Sequence, residues 1–98
     1  MSETTVHLGV LTVDLFIPAS GSLKSKRSVL KSLKDKIRSR FNVSVAELSG
    51  MDKWQTSVFG ICMIGSDKSY VNSCLDSVLS LMEQVHGVEL VNHQIEFL

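Results

Sequence analysis

Ninety-eight residues are enough for one domain and no more. Forty-four per cent of them are hydrophobic and 20% charged, with a single proline and six glycines, which excludes a disordered tail or a collagen-like repeat. Ten Lys and Arg balance ten Asp and Glu, so no net field draws the whole molecule to nucleic acid or to a membrane.

No apolar run approaches the roughly 18 residues of a membrane span, and no membrane partner is expected. The start of the chain lacks the basic segment of a signal peptide and carries Glu3 instead, so no targeting signal is expected either. Cys62 and Cys74 are the only cysteines. They form no CxxC pair and have no histidine at ligand spacing, so they read as reduced core thiols of a cytoplasmic protein without metal or cofactor.

Val6 to Ile17 alternates, with Leu11, Val13, Leu15 and Ile17 on one parity and Thr12 and Asp14 on the other. That period predicts a strand with one buried face. Pro18 stops it, since proline offers no amide hydrogen to a ladder. Ala19 to Ser22 is a turn, with Ser22 placed to cap a helix. From Leu23 to Arg40 the period becomes helical, through Leu30, Leu33 and Ile37, with Leu23 and Phe41 extending the same side. Val43, Val45 and Glu47 begin a second strand, and Ser49 to Gln55 is a turn-rich connection.

Thr56 to Gly65 is a third strand, in which Ser57, Phe59, Ile61 and Met63 alternate with Val58, Gly60, Cys62 and Ile64. Ser66 and Asp67 supply capping side chains for a second helix, whose apolar stripe is Val71, Cys74, Leu75, Val78, Leu79, Met82 and Val85. His86 and Gly87 close it, with the glycine free to adopt positive φ. Val88 to Leu98 is the last strand. The order β-α-β-β-α-β, with right-handed crossovers, predicts a ferredoxin-like α+β sandwich: a four-stranded antiparallel sheet carrying both helices on one face.

Charge is distributed unevenly along this frame. Lys24, Lys26, Arg27, Lys31, Lys34, Lys36, Arg38 and Arg40 place eight of the ten cations on the first helix, against Asp35 alone, for a local charge of +7. At 100° per residue, Lys24, Arg27, Lys31, Lys34 and Arg38 form one stripe about a quarter-turn from the apolar set. Like charges at i,i+3 and i,i+4 cost an isolated helix about 0.2–0.5 kcal/mol per pair. Cations in the first turn also oppose the helix dipole. Such a run can be a merely solvated face, but its concentration on one helix also suits a phosphate-rich partner such as structured RNA or a ribosomal subunit. Gly21, Ser22, Lys24 and Lys26, at the free amides of the helix start, are a candidate anion site.

Trp54, in the loop between the second and third strands, is a candidate interface anchor or a ring folded back on the core. The uncovered sheet face is expected to show Thr12, Asp14, Phe16, Ala46, Leu48 and Cys62. Phe16, Leu48 and Trp54 therefore form a candidate surface for a homodimer or another protein. Base stacking on the sheet is disfavoured, because Phe59 has core parity and Phe16 is the sole aromatic of the first strand. His7, His86 and His93 are scattered, and no nucleophile-base order, HExxH or phosphate-binding glycine loop is present, so no catalytic residue is expected.

The runs Val10 to Pro18, Ser22 to Leu33, Arg40 to Glu47 and Asp52 to Gln55 resemble the YlxP-like family of small bacterial proteins of unknown function. The resemblance covers nearly the whole chain. Its features here are Leu23, Lys24, Lys26 and Arg27, then Phe41 to Glu47, then Trp54 and Gln55. It implies a ferredoxin-like fold, no known catalytic residues, and a gene setting among translation initiation and ribosome maturation functions. The expectation is a non-enzymatic RNA- or ribosome-associated protein that binds phosphate backbone through Lys24, Arg27, Lys31, Lys34 and Arg38. The alternative is a homodimeric interaction module.

Overall fold

A computed structural model describes residues 4–98, so Glu3 lies outside the described residues. The elements are β1 (His7–Phe16), α1 (Leu23–Arg40), β2 (Ser44–Ser49), β3 (Thr56–Gly65), α2 (Lys68–Glu83) and β4 (Glu89–Phe97). The four strands form one antiparallel sheet in the order β2-β3-β1-β4. Each helix therefore connects two parallel strands with a third strand between them. This is the ferredoxin-like α+β arrangement.

Both helices pack on one face. Leu11, Val13 and Leu15 of β1 and Phe59 and Ile61 of β3 point into that layer and are essentially buried. Leu30, Leu33 and Ile37 of α1 meet them there, together with Val71, Leu75, Val78 and Met82 of α2. Each such side chain withdrawn from water contributes about 1.5–3 kcal/mol. Leu81, absent from the stripe expected for α2, is buried as well. Cys74 and Val85 are only half-buried.

Caps fix where the helices begin. The Ser22 side chain accepts from the Ser25 amide and the Asp67 carboxylate from the Ser69 amide. Gly87 sits at φ +89° in the turn after α2, a conformation that a side chain disfavours.

Two strands depart from expectation. β1 ends at Phe16, yet Ile17 remains buried and its amide donates to the Gln55 carbonyl at 2.7 Å. β2 begins at Ser44 and runs on to Ser49, with a register shift between Glu47 and Ser49 that leaves Leu48 as an extra residue. Cys62 is not a core thiol but sits where its strand parity predicts, on the uncovered sheet face. It shares parity with Gly60 and Ile64, so it lies half-buried on the sheet face away from the helices. Among the described residues, no helix is long and apolar enough to cross a membrane.

Leu33→Ala is expected to lower the unfolding free energy by about 2–5 kcal/mol through lost transfer energy and the cavity left beneath α1. Urea unfolding followed by circular dichroism measures this, and an unchanged m-value would localise the loss to the native core.

Candidate nucleic-acid interface

Lys26 is the first surprise of the basic helix, because its side chain is 1% exposed. It lies one helical turn before Leu30 and continues the apolar stripe through Leu33 and Ile37. Its ammonium has three protons to place. One goes to the Gly50 carbonyl, one to the Lys53 carbonyl at 2.8 Å, and one faces Glu47 Oε2 at 3.2 Å. The same carboxylate oxygen accepts the Ser57 hydroxyl at 2.6 Å, and Ser57 is itself buried. A buried charge is tolerable only when paired and hydrogen-bonded throughout, and this one is.

That burial corrects the candidate anion site. Gly21, Ser22, Lys24 and Lys26 do not converge on one outward point, because Lys26 turns into the protein. The Ser22 hydroxyl is occupied by the Ser25 amide, and Ser20 Oγ lies within hydrogen-bonding distance of the Ser22 carbonyl and Ser25 Oγ. Lys24 remains exposed on its own.

The remaining helix cations point outward to differing degrees. Lys24, Arg27, Lys31, Lys36, Arg38 and Arg40 are exposed and Lys34 is half-buried. Lys31 pairs with Asp35 at 3.0 Å, but those side chains are 77% and 59% exposed, and a pair so open to water neutralises little. Arg38 donates one Nη2 proton to the Val45 carbonyl at 2.8 Å. Four of the five guanidinium donors stay available for a ligand.

Arg27, Lys31, Lys34 and Arg38 thus line one groove of about 400 Å³ along the flank of α1, with Leu30 and Glu47 at its inner side. Ser28, Ser32 and Ser39 stand beside the stripe on the outer surface of the same helix. The helix presents cations and small hydroxyl donors over a length of about 20 Å. Such a surface can hold a run of phosphates, contacts that position a nucleic acid without reading its sequence.

The candidate protein contacts lie elsewhere. Trp54 is 57% exposed and Leu48 is 52% exposed, so the ring is not folded back on the core. Phe16 is half-buried at the end of β1, paired with Thr56. Among the described residues there is no group of three or more His, Cys, Asp or Glu that could hold a metal ion.

Sequence reasoning missed the Lys26–Glu47–Ser57 cluster. The signals were present, as a lysine at core spacing on α1 and a serine at core parity on β3. It also missed Ile64, which stands 64% exposed on the open sheet face.

The architecture is that of a ferredoxin-like domain. A de novo designed protein, Foldit4, shares it with a TM-score of 0.55 and 12% identity over 94% of this chain and 96% of its own, a likeness of fold alone. The chain belongs to the family described as protein of unknown function (DUF503), whose model matches residues 8–95. It is 33% identical over 82 residues to the uncharacterized protein YlxP of Bacillus subtilis (strain 168), covering 84% of this chain and 89% of that one.

Lys26→Met is expected to destabilise the fold by about 3–5 kcal/mol, since two carbonyls and a carboxylate lose their donor together. In a double-mutant cycle with Glu47→Gln, the two changes are expected to couple by about 0.5–3 kcal/mol. Strictly additive losses in chemical denaturation would show that the two side chains act independently.

Proposed function

We propose that this protein is a non-enzymatic, cytoplasmic RNA-associated protein that holds a phosphate backbone against the outer face of α1. The observation that supports the reading best is the arrangement of Arg27, Lys31, Lys34 and Arg38 along one groove, with Lys24 continuing the stripe. With Lys26 committed to the interior, seven outward cations remain on the helix, and Asp35 is the only acid among them. Keeping so many like charges on one helix opposes its stability. A polyanion converts that repulsion into attraction and releases its own counterions.

Phosphate-only recognition fits a partner defined by shape, such as a folded RNA or a ribosomal subunit, better than one defined by sequence. The ribosomal setting, in maturation or translation, rests on the family resemblance. Because α1 packs on one face of the sheet, the proposed RNA surface and the open sheet face point in opposite directions.

For four or five phosphate contacts, log affinity for a structured RNA is expected to fall against log salt with a slope of about −3 to −4.5. Replacing Lys24, Arg27, Lys31 and Lys34 together by glutamine leaves Arg38 in its clamp on Val45. The slope is then expected to shrink to about −1, with the thermal transition intact. Electrophoretic mobility shifts across a salt series measure both quantities. A quadruple variant with the parent's affinity and slope would refute the reading.

A further inference from the structure

The sheet ends in two edge strands, β2 and β4, and only one of them is blunted. An edge strand offers a row of free amides and carbonyls to any other strand, and folded proteins blunt it by known devices. β2 has six residues and a register shift between Glu47 and Ser49, and Arg38 Nη2 occupies its Val45 carbonyl at 2.8 Å. β4 runs for nine residues without a lysine, arginine or proline. Its one irregularity is Val91, the extra residue opposite the Asp14–Leu15 step, and beyond it the pairing with β1 is regular.

That pairing settles which backbone groups face outward. The Leu98 amide donates to the Leu8 carbonyl at 2.9 Å, so from Asn92 onward the even-numbered residues bond inward. His93, Ile95 and Phe97 therefore turn their amides and carbonyls away from the sheet. The His93 amide accordingly takes its own neighbour, Asn92 Oδ1 at 3.0 Å, as acceptor. On the helix side, α2 packs more on β1 and β3 than on β4, and Ile95 and Phe97 stay half-buried beside it.

We propose that β4 pairs antiparallel with β4 of a second copy, about a two-fold axis perpendicular to the sheet at Ile95. An isologous contact requires a patch to complement itself, and this register does so residue by residue. Ile95 meets the partner's Ile95, and His93 lies beside the partner's Phe97 on the helix side. On the other side Gln94 lies opposite the partner's Glu96, where its amide donates to the carboxylate. The outward groups of His93, Ile95 and Phe97 form three closely spaced pairs, about six main-chain hydrogen bonds.

Neighbouring registers are worse. An axis at Glu96 sets carboxylate against carboxylate, and like charges directly opposite destabilise a pair of strands. An axis at Gln94 draws the bulged Val91 into the ladder opposite the partner's Phe97. Half-step registers set an outward-facing residue against an inward-facing one. In the chosen register both helix layers lie on the same side of one continuous sheet. Each α1, packed over β2, sits toward an outer end with its cationic flank uncovered.

Sedimentation equilibrium and disulfide trapping on the full chain test this. The parent is expected to reach dimer mass by tens of micromolar. Gln94→Glu sets two carboxylates against the partner's two and is expected to weaken the dimer about tenfold with unchanged circular dichroism. Gln94→Glu/Glu96→Gln is expected to restore it, because each glutamate again faces an amide. In chains whose Cys62 and Cys74 are replaced by alanine, Gln94→Cys and Glu96→Cys copies are expected to form a mixed disulfide when oxidised together. Facing residues of a widely spaced pair lie about 4.5 Å apart between Cα atoms, within disulfide reach. A parent monomeric up to several hundred micromolar would overturn the proposal. So would a Gln94→Glu variant that dimerises like the parent, a swap as weak as the single change, or either cysteine copy crosslinking alone as well as the mixture.

Discussion

A lysine ammonium sealed inside a 98-residue domain leaves the chain few choices. Lys26 can stay charged there only if three acceptors are held around it, and they come from three places: Gly50 and Lys53 of the β2–β3 connection and Glu47 of β2. Ser57 of β3 then fixes the carboxylate from behind. One side chain thereby sets the height of α1 over the sheet, the path of the hairpin and the inward turn of Glu47. Gln55 closes the corner by donating to the Pro18 carbonyl at 2.9 Å. Displacing any one of these elements would expose the cost of an unpaired buried charge.

The same constraint sorts the cations of α1 into two kinds. Lys26 and Arg38, near opposite ends of the helix, reach backbone carbonyls of the sheet or its hairpin and hold the helix down. The others are left to solvent, with Asp35 as a weak local counter-charge. The helix is thus fastened by some of its positive charge and destabilised by the rest, and the second group is what makes the outer face a surface for phosphate. The features of the family resemblance divide along this line too. Lys26, Glu47 and Gln55 build the corner, whereas Lys24 and Arg27 face outward.

Two surfaces with different chemistry result, on opposite sides of one sheet. The helix side is cationic and hydroxyl-bearing, and the bare side carries an apolar socket with Glu96 beside its Val10 floor. Sheet geometry separates them, because successive residues of a strand project to opposite faces. Gly60 refines the bare side by letting Leu48, displaced by the bulge in β2, lie flat across it.

The amino-acid order alone determined the element sequence, the span of α1, the caps at Ser22 and Asp67 and most of the core. Those features follow from period and from side chains acting within a few residues of themselves. Tertiary structure decided the rest. Assigning Lys26 to an anion site at the helix start followed from its charge, although its spacing to Leu30 already placed it on the buried side. Whether a lysine can be buried depends on carbonyls 24 and 27 residues away, and that distance lies beyond any local pattern. Leu48 and Ile64 likewise gained their positions from strand pairing, which brings together residues that no periodicity relates.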